Sequence, residues 1–315
     1  MRDLQRNLSL YLASHGWESP RDPGAAGRLW DHEATDLSVA VPHEVQVGSL
    51  DWRSITTRLA EVERVTVDEV IADIMLMSTD VANLRVANDL VITDTIPYGA
   101  GTATMQGAWR IFRCCATTSV KVRVQIRGNY SKDADEIAGT ARMAHTKRGS
   151  FIIPLLLPVS EPVPIDEGLV DTAPPEPVER RVMRTFAEAL TKVHEVVVVP
   201  EREPRPGDAL SLIFAGVSAE LATALHHVLS DEVVAEFGAV FQWAPMAGPQ
   251  PENLGGVSIP AAAAPRVEAV ERCSVRPPRK PASRFSPDLS WLPPATPSRE
   301  APSPSTPSGS HAAHT

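Results

Sequence analysis

Residues 151–157, Phe151-Ile152-Ile153-Pro154-Leu155-Leu156-Leu157, form the most apolar run of the chain. The run is bounded by Gly149 and Pro158, too short for an ordinary helix and too apolar to face water, so it predicts a buried β-strand. Proline has no N–H to give to a ladder, so Pro154 points to a sheet edge or a bulge.

The residues before this run predict its neighbours. Val120, Val122, Val124 and Ile126 alternate with Lys121, Arg123, Gln125 and Arg127, the period of a half-buried strand. Gly128-Asn129 breaks the alternation as a turn. With Ser131 or Asp133 as N-cap, Ala134, Ile137, Ala138, Ala141 and Ala144 then recur at helical spacing, a narrow stripe of small residues suited to close packing. Between this helix and the apolar strand lie Arg142, His145, Lys147 and Arg148. They are a local basic cluster in a chain of net charge −9, and so a candidate site for phosphate or nucleic acid. The competing reading is structural: cations at a helix C-terminus are favoured by the helix dipole and by the free carbonyls there.

Upstream, Leu4, Leu8, Tyr11 and Leu12 predict an amphipathic helix stopped by Gly16, with Trp17 packing back on the body. Residues 28–32 and 37–41 predict a hairpin in which Trp30 is a core anchor. Trp52, Ile55, Leu59 and Val62 mark a helix, and Thr66 with Glu69 forms the capping box of the next. Strands are expected over 81–86 and 90–96, then a helix carrying Met105, Trp109, Phe112 and Cys115. Gly99-Ala100-Gly101 opens that helix, but Thr104 stands where a dinucleotide fingerprint needs a small third residue.

Downstream, Val182, Phe186, Leu190 and Val193 mark a strong helix. Residues 210–214 read as a strand, Ser218 as the cap of a helix, and 233–243 and 257–259 as strands. A weak helical turn covers 266–272. Together these predict an α+β protein with short mixed or antiparallel sheets packed against amphipathic helices. The expected organisation is an N-terminal α+β domain (1–158), an acidic Pro-rich linker (159–177), a C-terminal α+β region (178–272) and a tail (273–315). The tail carries ten of the 29 prolines and almost no aliphatic residues, so it is expected to be disordered.

Composition and motif spacing narrow the function classes. Arg outnumbers Lys by 25 to 5, which fits GC-rich codons and, in an acidic chain, does not predict general nucleic-acid binding. The three cysteines, Cys114, Cys115 and Cys273, have no disulfide spacing, as expected of a reducing compartment. The N-terminus lacks a signal-peptide core, and no apolar run approaches the ~20 residues of a membrane span, so a cytoplasmic location is expected. No His-Glu pair has the zinc-protease spacing, and Ser218 lacks the glycine of a nucleophile elbow two positions on. No cofactor and no metal is expected.

Three blocks, Tyr11…Gly16-Trp17…Trp30, His145-Thr146-Lys147-Arg148-Gly149-Ser150-Phe151 and Gly216-Val217-Ser218-Ala219-Glu220-Leu221, resemble uncharacterised bacterial proteins of GC-rich genomes over most of residues 1–272. That resemblance implies no activity. The leading expectation is a non-catalytic intracellular interaction or regulatory protein with a protein partner and no membrane. The alternatives are a nucleic-acid or phosphate-binding component using 142–148, and a hydrolase whose catalytic residues are dispersed along the chain.

Overall fold

The computed structural model describes residues 2–19, 24, 27–88, 92, 95–144, 151–160 and 175–275. The chain builds two hydrophobic cores, each on its own antiparallel sheet, and the fold is α+β. The first comprises α1 (Arg2–Ser14), β1 (Trp17–Glu18), β2 (Gly27–His32), β3 (Leu37–Pro42), α2 (Leu50–Glu63) and α3 (Val67–Leu76). Its sheet runs in the order β1-β2-β3. Gly16 stops α1 with φ +78°, a left-handed conformation that costs glycine nothing, and turns the chain so that Trp17 is buried. Trp30 alternates inward on β2 and packs with Leu8, Tyr11 and Trp52. The Tyr11 hydroxyl donates to Glu63, closing α1 onto α2. Ser49 caps α2, and the Thr66–Glu69 capping box opens α3 as its sequence predicts.

The second core is larger. Its sheet joins β4 (Thr79–Ala87), β5 (Arg142–Met143), β6 (Phe151–Pro158), β7 (Glu236–Gln242) and β8 (Gly256–Pro260) in the order β5-β6-β4-β7-β8. Its helices are α4 (Tyr98–Val120), α5 (Lys132–Thr140), α6 (Val178–Val193), α7 (Ala209–Phe214), α8 (Ala219–Leu229) and α9 (Ala264–Val275). Alternate residues such as Leu84, Ile153, Leu155, Phe237 and Ala239 share one core with these helices. A train of rings, Phe112–Phe186–Phe241–Trp243, links α4, α6 and β7 at centroid spacings of 5.9, 5.6 and 5.8 Å. Such pairs add stabilisation beyond their buried area. Helix α4 approaches α8 closely because Gly107 has no side chain: a Cβ there would lie 2.2 Å from Val228 Cγ2.

Strand β4 pairs with β6 on one side and β7 on the other, so a single sheet joins residues that precede and follow the acidic stretch 159–177. The change of core falls between Met77 and Ala82. Pro154 sits opposite Asn83, and its carbonyl accepts the Ala144 N–H from the β5 side. A strand residue directs its N–H and C=O to the same side, so the missing donor of Pro154 faces β5; β6 is therefore not the edge strand that its proline led one to expect but its neighbour, and the gap in the ladder falls beside the two-residue β5.

Several expectations fail, each for a physical reason. The alternating segment 120–126 is not a strand. Helix α4 runs on through Val120, and the rest is irregular chain held by the start of α8. The Ala219 N–H bonds Val124 O, and Glu220 Oε1 accepts the N–H groups of Ile126 and Arg127 at 2.9 and 2.8 Å. Arg127 and Gly128, with φ 49° and 76°, make the turn. Ser131 is the N-cap of α5, but the helix ends at Thr140, so Arg142 belongs to a strand and Ala144 extends its pairing. Residues 210–214 form helix α7: Ala209, Leu212 and Ile213 face inward at i, i+3 and i+4, while Leu210 and Phe214 are exposed. Of the expected strand 90–96, Ile92 makes an isolated bridge to Asn88, and 90, 91, 93 and 94 lie outside the described residues. The weak turn at 266–272 is a twelve-residue helix, α9, which carries Cys273 beyond the expected tail boundary to Val275. The tail from 276 and most of the acidic stretch, 161–174, lie outside the described residues.

Candidate functional site

The candidate site lies where α4 crosses the β5 edge of the larger sheet. Helix α4 is buried along Ala108, Ile111, Phe112 and Cys115, yet a second stripe along it stays open. Tyr98, Met105 and Trp109, spaced seven and four residues apart, are 90%, 39% and 44% exposed. Residues so spaced share one helix face. Facing Met105 and Trp109 are Met143 of β5, 63% exposed, and the backbone-paired segment of β6 around Pro154. Between them is an apolar notch of about 130 Å³, floored by Leu84, Ala108 and Ile153, with Arg142 on its rim. The Arg142 side chain is exposed and forms no hydrogen bond or ion pair with a described residue.

Size decides what the notch suits. Small-molecule pockets run to roughly 300–1,000 Å³, whereas a cavity of about 150 Å³ takes one benzene ring. The notch therefore accommodates a single bulky apolar side chain. Its lining of tryptophan and methionine with an arginine at the rim is the composition that dominates protein–protein anchor points.

Of the four residues singled out in the basic cluster, Arg142 is placed on this rim; His145, Lys147 and Arg148, between β5 and β6 in sequence, lie outside the described residues. The helix-dipole account of Arg142 does not hold, because the residue is in β5 and pairs with Leu156. Sequence reasoning missed Trp109 and Met105 as site residues because they lie on the same helix as Phe112 and Cys115 and read as core. The available signal was that Tyr98, Met105 and Trp109 form a stripe of their own, offset from Ala108, Ile111 and Cys115.

Several of the other candidate side chains among the described residues are engaged in structure. Ser218 is fully buried and its Oγ accepts the Leu221 N–H at 3.2 Å, the cap of α8. Burial pushes the Cys114 thiol up to about 11 and raises Cys115 well above its ordinary value, so both remain protonated near neutral pH. His226 bonds Ala264 O through Nδ1 at 3.0 Å, and the adjacent His227 is exposed. Among the described residues no three His, Cys, Asp or Glu side chains group to hold a metal ion, and no single helix is long and apolar enough to cross a membrane. No family model, curated protein or solved structure matches the chain.

Proposed function

We propose that this is a non-catalytic interaction or regulatory protein of the cytoplasm, whose α4–β5 notch receives a large apolar side chain of a protein partner. Arg142 pairs with an acidic residue beside that anchor. The observation that carries the reading is the open Tyr98–Met105–Trp109 stripe with Met143 across from it, apolar surface that a lone chain gains by covering. Unpaired cysteines, two of them buried, support a reducing location.

The test is a photo-crosslinking amino acid placed at Met105 in the native host, followed by mass spectrometry of the adducts. The expected result is one dominant protein adduct, lost when Met143 is changed to Asp. Trp109 beside Arg142 also suits stacking of a nucleobase, with the basic residues 142–148 on its phosphates. Titration with short single- and double-stranded oligonucleotides at low salt separates the two. Micromolar binding abolished by Arg142→Ala with Lys147→Ala and Arg148→Ala would favour nucleic acid over a protein partner.

A further inference from the structure

The open stripe of α4 carries a projection as well as a recess. Tyr98, the first residue of the helix, is 90% exposed, and its hydroxyl has no partner among the described residues. Further along the same face lies the notch bounded by Met105, Trp109 and Met143, sized for one bulky side chain. One helix face thus offers both a ring and a place for one.

The charge of this face favours a particular kind of partner. Residues 95–109 contain no Asp, Glu, Lys or Arg, although 22% of the chain is charged. A partner of opposite charge is best met by a charged surface. Copies of a chain of net charge −9 repel one another and meet most readily across a face that is itself neutral.

The spacing along α4 fits a second copy. In an antiparallel pair of helices related by a two-fold axis, the same patch serves both partners. With the axis at Thr102 and a rise of about 1.5 Å per residue, Tyr98 lies about 6 Å to one side, and Met105 and Trp109 about 4.5 and 10.5 Å to the other. Tyr98 of the second copy therefore falls between Met105 and Trp109, over the notch. The residues at the crossing are small, Gly99, Thr102 and Ala103, and nothing lies within 4 Å of where a Cβ on Gly99 would stand, so the two helices can approach closely. Thr102 donates its hydroxyl to Tyr98 O at 3.0 Å, so it can be covered without leaving that donor unpaired.

We propose, on the reading of the notch as a protein-binding site, that its occupant is a second copy of this chain. Two α4 helices cross antiparallel at Thr102, the Tyr98 ring of each fills the notch of the other, and Arg142 on the rim gives one of its five N–H donors to the Tyr98 oxygen. At 90% and 44% exposed, Tyr98 and Trp109 offer roughly 200–330 Å² per copy, taking ~150–250 Å² for each ring. With Met105 and Met143 the two copies bury about 1,000 Å² in all, the lower limit of specific contacts, so the dimer is weak and depends on concentration.

The experiment is sedimentation velocity of the full chain from micromolar to millimolar concentration. The expected result is a reversible monomer–dimer equilibrium. Tyr98→Ala should weaken it by about tenfold or more without changing the melting temperature of the monomer, since the side chain is exposed. Thr102→Glu and Thr102→Lys each set like charges together at the axis and should be monomeric, and an equimolar mixture of the two should restore the dimer. The proposal is overturned if the chain stays monomeric throughout, if Tyr98→Ala dimerises as the unchanged chain does, or if the two Thr102 variants do not pair with each other. A monomeric chain whose Met105 crosslinker still captures one other protein overturns the dimer and leaves the notch as a protein site; a monomeric chain without any adduct removes both.

Discussion

Replacing Asp80 with Ala tests the joint that ties α6 to the start of β4. Asp80 is 0% exposed and Arg180 2%. Arg180 Nε donates to Oδ2 at 2.8 Å and Nη2 to Oδ1 at 2.9 Å, while the Ala244 N–H donates to Oδ1 at 2.8 Å. Arg180 also reaches Ala244 O at 2.7 Å and lies 5.3 Å from the centre of the Trp243 ring. Removing the carboxylate leaves a buried guanidinium with carbonyl partners only, and a buried N–H with no acceptor. Breaking a buried pair in this way costs about 3–5 kcal/mol, a large part of a typical total of roughly 5–15. At about 2 °C per kcal/mol for a body of this size, the melting temperature should fall by roughly 6–10 °C. Burial pushes the Asp80 carboxyl above its ordinary value despite the pull of Arg180, a sign that pairing does not fully offset desolvation. The double change Asp80→Leu with Arg180→Met should therefore cost less than Asp80→Ala alone. Urea unfolding of the single and double variants measures both quantities. A loss under about 1 kcal/mol for Asp80→Ala, or a double variant as unstable as the sum of the singles, would refute the reasoning.

Four further outcomes are expected. Ile153→Ala, at a buried inward position of β6, should cost about 2–5 kcal/mol by urea denaturation, whereas Met143→Ser on the exposed edge strand should stay within about 0.5. With Ellman's reagent near neutral pH, Cys273 should react promptly and Cys114 and Cys115 only after unfolding, since the first is half-buried and the others have no exposed surface. Glu220→Ala should free the 121–130 segment by removing the acceptor of the Ile126 and Arg127 N–H groups, seen as faster amide exchange there with the exchange of β4 unchanged. The Arg113 hydrogen bonds hold the Asp135 carboxyl below its ordinary 3.8, so its contribution to stability is complete above that pH and is lost as pH falls through the lower folded value; Asp135→Asn should flatten that part of the acid-unfolding curve.

What could be read from the chain before folding was local. The Thr66–Glu69 capping box, the Ser218 cap, the Val182–Phe186–Leu190–Val193 stripe and the Trp30 hairpin are each written within one short stretch of the chain, and the structure has them all. The apolar run 151–157 announced a buried strand, but its proline pointed to an edge, and the edge is the neighbouring β5. Periodicity misled where it competed with a distant partner. Residues 120–126 alternate like a strand, but the groups that satisfy their backbone, Ala219 and Glu220, lie more than ninety positions away in sequence. The same holds for Asp80 and Arg180, a hundred residues apart, and for the notch, whose walls come from α4, β5 and β6. Arg142 drew attention as one of four neighbouring cations, yet in the structure its setting is Trp109 and Met143. A hydrogen-bond donor or an exposed ring acquires its role from what folding brings within a few ångströms, and that neighbourhood is set by the packing of whole elements rather than by adjacent residues.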